Sequence, residues 1–438
     1  MAALNINLIH DIPIAQDPLA MLPRTGFFRA GLARRQFSQS ACRRVAPFLQ
    51  YYGQQYPWFW LRDSCQCPSC LHPSTRQKLH RTSDVPVNVE PVDSPEGVQI
   101  SWDGVNVKWD SGHKSFYPRE FLERHATRKT LREFNRDPMR VEWNVKMLRE
   151  SAANLYMPYE ELKTSKGLHA AMAQLTQYGL LFVTGVSTEK TSNEECELRA
   201  LGERFGELRK TFYGETWDVK AIQNSRNIAY TNVDLGLHMD LLYFQHPPRY
   251  QILHCLRNRV EGGKSIFVDA VYVASQLRKR DRSAFDTLAN TSVTFHYVND
   301  GHHLYRVHPT IELADSSSHS SPISFINYSP PFQGPLPRKT PLEQFVPALK
   351  TFADMLEDPD VRFEYLLKEG DAVLFDNRRV LHARTAFHEK EAESSKEETN
   401  RWLKGCYLEA DAVLDRMRVL GAQLEKEAAT RKRPEEGA

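Results

Sequence analysis

From about residue 156 onward the chain repeats one pattern, a short apolar run followed by a polar turn and then another run. Runs at 180–183, 250–256, 265–268, 323–328, 372–375 and 402–407 predict strands, and 168–175 and 194–205 read as helices. The second helix is expected to start through Ser192 and Asn193 as capping residues, with Glu194 and Glu195 in its first turn. Many strands with few helices fit a sandwich or barrel better than a doubly wound sheet. Near the end, Val413, Leu414, Met417, Leu420 and Leu424 fall at helical spacing and predict a helix with an apolar stripe, suited to packing or to a dimer contact.

Farther upstream, 85–89, 98–102 and 105–109 alternate apolar and polar residues and predict strands of a small β domain that closes near Ala126. A charged, arginine-rich segment over 127–144 reads as a connection, and the Ser-, Glu- and Lys-rich stretches 315–321 and 388–400 read as surface loops. The expected organisation is a basic leader over 1–46, a small β domain over 47–126, a linker over 127–155, a large domain over 156–425 and a charged tail over 426–438.

Charge alters this picture at the front of the chain. The 57 basic and 55 acidic residues nearly cancel, leaving +2, so no nucleic-acid partner is expected. No apolar run approaches the ~18 residues of a membrane-spanning helix, so none is expected. Yet no acidic residue stands between Asp17 and Asp63, while Arg24, Arg29, Arg34, Arg35, Arg43 and Arg44 alternate with Phe, Leu, Ala and Ser. That is the makeup of a mitochondrial presequence, and Arg35-Gln36-Phe37-Ser38 resembles a cleavage site. Met21, followed by Leu-Pro-Arg-Thr-Gly-Phe-Phe-Arg, makes a better presequence start than Met1. A mitochondrial location is expected, with a cytoplasmic protein carrying a basic tail as the alternative.

Two sets of residues carry metal chemistry. Of seven cysteines, Cys65, Cys67 and Cys70 crowd into six positions, a metal-like rather than a bridge-like spacing. Three thiolates and one imidazole make a closed tetrahedral zinc site of the structural kind, for which His72, His80 and His113 are candidate fourth ligands. In the large domain, His238-Met239-Asp240 puts an imidazole and a carboxylate on one side of an extended backbone. His382, presented at the end of the strand run at 372–375, would complete two histidines and one carboxylate, leaving open positions on iron(II). Arg401 supplies a guanidinium able to grip a 2-oxoacid carboxylate by two parallel hydrogen bonds.

Seven stretches then give a resemblance. They are Trp60-Leu61-Arg62-Asp63-Ser64-Cys65-Gln66-Cys67-Pro68-Ser69-Cys70, Thr211-Phe212-Tyr213-Gly214-Glu215-Thr216-Trp217, Asn227-Ile228-Ala229-Tyr230-Thr231, His238-Met239-Asp240 with His246-Pro247-Pro248 and Leu253-His254-Cys255, and Phe375-Asp376-Asn377-Arg378-Arg379-Val380-Leu381-His382. In this order, over roughly 56–420, they resemble the gamma-butyrobetaine and trimethyllysine dioxygenase family of iron(II)- and 2-oxoglutarate-dependent oxygenases. The resemblance implies a mainly β fold with flanking helices, a double-stranded β-helix (jelly-roll) core and a small N-terminal zinc-binding β domain. It implies iron on His238, Asp240 and His382, 2-oxoglutarate on Arg401, and zinc on Cys65, Cys67, Cys70 and, of the three histidines, His113. It also implies O2 as cosubstrate, ascorbate as the reductant and a homodimer.

For the substrate, the resemblance implies an aromatic cage of Tyr213, Trp217 and Tyr230 with Tyr407 as a further wall, around a small quaternary ammonium. Asn227 and Asn327 are expected to hold its carboxylate. The trimethyllysine branch carries an acidic residue where this chain has Asn227, so the expected reaction is hydroxylation of gamma-butyrobetaine to L-carnitine, with succinate and CO2 formed. The Pro-rich run Pro330-Pro331-Phe332-Gln333-Gly334-Pro335 beside the pocket leaves trimethyllysine, another betaine or a secondary metabolite as alternatives. A reading from a different class is a zinc-stabilised binding protein without catalysis, which would need a broken ligand set.

Overall fold

The structure, a computed structural model, describes residues 47–220, 233–315, 318, 320–389 and 400–432. The leader over 1–46, Asn227 and Tyr230 lie outside the described residues. The chain divides into two compact units, the first ending at Arg119 and the second starting at Glu120.

In the first unit, the strands Phe48–Tyr51 and Gln54–Pro57 form a hairpin closed by Tyr52 and Gly53. Both turn residues have positive φ, 45° and 76°, the conformation whose twist matches paired strands and which glycine adopts without strain. The helix Trp58–Asp63 follows, then an antiparallel sheet of Val98–Ile100, Gly104–Lys108 and Lys114–Pro118. Alternation along these strands buries Val105, Val107 and Tyr117, with Trp109 set edge-on to Trp58 at 6.2 Å. The segment 85–89 is not a strand: Pro86 has no N–H to give a ladder, and Val87 stands exposed in a turn.

In the second unit, the described residues form two main sheets. The larger has six strands in the order Tyr156–Pro158, Leu180–Thr184, Ala372–Asp376, Tyr250–Asn258, Arg401–Leu408 and Thr216–Lys220. The smaller has four, Phe363–Tyr365, Ser265–Asp269, Val380–Arg384 and Leu235–His238. Phe182 and Phe375 from the larger sheet each meet Phe267 from the smaller at 5.7 Å, and all three are buried. Full burial of such a side chain contributes about 1.5–3 kcal/mol. The result is a sandwich, as the strand pattern suggests, and the mainly β jelly-roll with flanking helices that the resemblance implies.

Three segments depart from expectation. The helix expected from residue 194 begins at Glu197, because Ser192 closes a turn ahead of it by accepting from the Glu195 N–H at 3.0 Å. The run 323–328 is a strand only over Ile323–Ile326, paired with Ile311–Leu313 outside both main sheets. The stretch 127–155, read above as a linker, holds the helices Arg128–Phe134 and Val145–Ser151 and buries Trp143 and Leu148 completely. A buried ion pair pins it. Arg379 bonds to Asp269 through Nε (3.1 Å) and Nη2 (2.6 Å), the Trp143 N–H donates to Asp269 at 3.1 Å, and Arg379 also donates to the Val141 carbonyl.

Candidate active site and metal cluster

The smaller sheet sets His238 and His382 directly opposite each other, on adjacent antiparallel strands. Their rings lie 4.1 Å apart, and their Nε2 atoms stand 3.5 Å and 3.9 Å from Asp240 Oδ1. All three residues can offer one ligand atom within 4.8 Å of the others. His238 Nδ1 is 2.8 Å from the Gly236 carbonyl, which can only accept, so Nδ1 carries a proton and Nε2 is the atom able to bind a metal. Asp240 sits just past its strand and is clasped by the buried Asn377. The Asp240 N–H donates to Asn377 Oδ1 at 2.8 Å, and Asn377 Nδ2 donates to the carbonyls of Asp240 (3.1 Å) and Pro248 (3.0 Å). Burial alone would raise the Asp240 carboxyl, but pairing with His238 and the nearness of His382 outweigh it and hold it well below the usual range. Burial and the neighbouring His238 push His382 down to about 3. An anionic carboxylate and a neutral imidazole are the states a divalent cation requires.

These residues line a cavity that also contains Arg401, Arg384, Tyr213, Trp217 and Tyr407. Arg401 is buried, its guanidinium 5.2 Å from the Phe387 ring, and burial and the charge of Arg384 push it down to about 10. It stays charged at neutral pH, and its Nε has no hydrogen-bond partner among the described residues. A buried cation is costly unless paired, so this end of the cavity favours an anion. At the aromatic side Trp217 stacks on Tyr407 at 4.3 Å and lies 6.2 Å from Tyr213. The stacking depends on Gly405, opposite Trp217 in register, where a Cβ would stand 2.6 Å from the indole.

Asn327 does not line this cavity, which corrects its expected role. Its Nδ2 donates to the Pro309 carbonyl at 2.8 Å, its Oδ1 accepts from Arg378 at 2.9 Å, and the residue is buried, so its amide is committed to the scaffold. The cavity gains Tyr243, Phe332, Gln251 and Arg384, which sequence reasoning did not single out as site residues. Phe332 lies in the Pro-rich run already suspected to border the pocket. Gln251 had a signal too, as a polar residue inside an apolar run.

In the first unit, His113 Nε2 lies 3.3, 3.6 and 3.6 Å from the sulfurs of Cys65, Cys67 and Cys70. Zinc bonds of ~2.3 Å to sulfur and ~2.0 Å to nitrogen, at tetrahedral angles, imply an S···N edge of about 3.5 Å, so the four donors fit one zinc ion. His72 is turned to Ser74 and Thr75, and His80 faces Asp63 at 3.4 Å, which leaves His113 as the fourth member. Around the cluster, Ser115 Oγ donates to Cys65 at 3.0 Å while accepting from Trp109 Nε1 at 2.8 Å, and Arg62 donates to Cys70 at 3.5 Å. These partners orient the sulfurs and offset their charge.

The chain is similar to several known proteins along most of its length. It is 50% identical over 392 residues to dioxygenase str8 of Strobilurus tenacellus, covering 89% of this chain and 91% of that one. It is 30% identical over 379 residues to gamma-butyrobetaine dioxygenase of Homo sapiens (84% and 92% covered). With the mitochondrial trimethyllysine dioxygenase of Gallus gallus it shares 28% identity over 373 residues (84% of each). Residues 50–123 match the gamma-butyrobetaine hydroxylase-like N-terminal family, and residues 148–407 match the taurine catabolism dioxygenase TauD, TfdA family. With its jelly-roll core, its histidine and carboxylate trio and this match over more than half its length, the chain belongs to the TauD, TfdA family as an iron(II)- and 2-oxoglutarate-dependent dioxygenase.

Proposed function

We propose that His238, Asp240 and His382 hold iron(II), that Arg401 takes the distal carboxylate of 2-oxoglutarate, and that the substrate is a small quaternary-ammonium carboxylate. Gamma-butyrobetaine is the first candidate, with L-carnitine, succinate and CO2 as products. The observation that carries the substrate class is the Trp217–Tyr407 stack beside Tyr213, in the same cavity as Asp240. A trimethylammonium group has no N–H to donate, so only aromatic faces and nearby charge can hold it. Bound iron supplies, with 2-oxoglutarate and O2, the oxidising power for converting C–H to C–OH. The chain supplies position: the aromatic faces fix one end of the substrate, Arg401 fixes the cosubstrate, and the walls between them decide which C–H faces the metal.

One observation favours a second reading. With Asn327 committed to the scaffold, one of the two amides expected at the substrate carboxylate is missing, and the relative at 50% identity is named only as a dioxygenase. A betaine without a carboxylate at that end, or a secondary metabolite, fits those facts. Purified protein with iron(II), ascorbate as reductant and 2-oxoglutarate, given gamma-butyrobetaine, trimethyllysine or taurine separately, decides between them. Succinate should rise most with gamma-butyrobetaine. Preference for trimethyllysine, or no stimulation by any of the three, rejects the assignment.

The remaining elements of the reading are zinc on Cys65, Cys67, Cys70 and His113, a homodimer, and a mitochondrial address in residues 21–46. Residues 1–46 fused to a fluorescent protein should send it to mitochondria, and a cytosolic signal refutes the address.

A further inference from the structure

The first seven positions of the strand Tyr250–Asn258 are apolar except at Gln251 and His254, and all but the half-buried Leu253 are buried. Gln251 stands opposite Tyr407 in register on the adjacent antiparallel strand, so the two side chains rise from the same face of the larger sheet. Both reach a single atom. Gln251 Nε2 donates to Asp240 Oδ2 at 2.8 Å, and the Tyr407 hydroxyl donates to the same oxygen at 2.9 Å. The amide orientation follows from charge, since turning it over would set Oε1 against a carboxylate. Oε1 itself has no hydrogen-bond partner among the described residues. A buried amide with half its capacity unused is poor packing material, and its contact with Asp240 is what accounts for it.

The other carboxylate oxygen, Oδ1, is the one that faces His238 and His382. A carboxylate can grip a cation with one oxygen or with both. Three protein ligands and a chelating 2-oxoacid fill five of six positions on an octahedral ion, so a second contact from Asp240 would take the place oxygen needs. Charge-assisted hydrogen bonds are the strong kind, and here two of them occupy the lone pairs that such a contact would use. We propose that Gln251 and Tyr407 are positioning residues that keep Oδ2 off the metal, so that Asp240 binds through Oδ1 alone and one coordination position stays open. The inference rests on the iron assignment proposed above. It gives Tyr407 a second task, since the ring that stacks on Trp217 also carries the hydroxyl that restrains the metal ligand.

The test uses the full chain loaded with manganese(II) in place of iron and saturated with 2-oxoglutarate, and reads metal-bound water by proton relaxation. Wild-type protein should show one exchangeable water on the metal. In the double variant Gln251→Leu with Tyr407→Phe, that signal should fall to the background of unbound water while manganese affinity is kept. Oxygen-dependent 2-oxoglutarate consumption by the iron form should drop about 10- to 100-fold. A double variant that keeps the water overturns the proposal, as does one that loses manganese affinity with its water intact, the mark of a merely structural role. Tyr407→Phe alone removes one oxygen and keeps the ring, and should show an intermediate loss. An unchanged signal in it overturns the proposal even where the double variant does not fold. A wild-type protein whose manganese signal does not respond to 2-oxoglutarate rejects the iron assignment itself, whereas a water that persists in the variants rejects the positioning role alone.

Discussion

The two metal-competent clusters are built by the same sequence device and arrive at opposite chemistry. Each joins ligands close together in the chain, Cys65, Cys67 and Cys70 or His238 and Asp240, to one histidine brought from far away, His113 or His382. The first offers four donors whose S···N separations fit a tetrahedral zinc site, the closed kind that leaves no place for a substrate. The second offers three, on the wall of a cavity that also holds a buried arginine and a stack of aromatic rings. Donor count and surroundings therefore suit the first cluster to stapling a small β unit and the second to reaction.

The largest effect should come from opening that contrast at its reactive end. Asp240→Ala removes the only carboxylate of the trio and is expected to abolish substrate-dependent succinate formation, while metal analysis still finds one zinc per chain. Retained turnover would break the comparison by showing that the three-donor set is not where the chemistry happens.

Cys67→Ser attacks the other end. Structural zinc in small domains accounts for about 10–16 kcal/mol of apparent binding energy, which for such units is folding energy. The variant should lose its zinc equivalent, and its first unit should become sensitive to limited proteolysis. Succinate formation should fall far less than in Asp240→Ala. A variant that keeps both zinc and protease resistance would show that the four-donor cluster is not the staple.

How much of this was legible in the chain differs between the clusters in the same way. The cysteine spacing announced the first cluster, but the choice among His72, His80 and His113 depended on where the sheet returns the chain, and only the fold shows His72 and His80 turned elsewhere. In the second cluster, i, i+2 spacing pointed to His238 and Asp240, but His382 stands not at the end of the run 372–376 but in the middle of the next strand, Val380–Arg384, which belongs to the other sheet. The substrate end was harder to read. Asn327 looks like a free amide in sequence, whereas in the fold the buried Arg378 claims its oxygen. The segment 127–155 misled for a related reason: its many charges suggest solvent, and the partner of its buried part, the Arg379–Asp269 pair, is contributed by residues more than a hundred positions away. Composition reports the average of a segment, while burial is decided by single residues such as Trp143.

The smallest effect concerns what acid does to the second unit apart from its metal trio. His254 is fully buried on the strand that also carries Gln251, opposite Lys404, whose ammonium is paired with Asp218 at 2.9 Å. Burial pushes His254 down to about 4 from an ordinary value of 6.5. Between those two values the unfolded chain binds a proton that the folded chain refuses, so stability falls as pH drops through that window and is regained as pH rises. At pH 5 the loss from this one group is about 2 kcal/mol relative to pH 7.5. His254→Gln removes the titration, so the urea midpoint of the metal-loaded variant should fall less steeply between pH 7.5 and 5 than that of the wild type, whatever the variant's absolute stability. Equal slopes would mean that His254 finds a proton acceptor on folding. His254 would then be a partnered polar group like Lys404, and its burial would carry no acid-dependent cost.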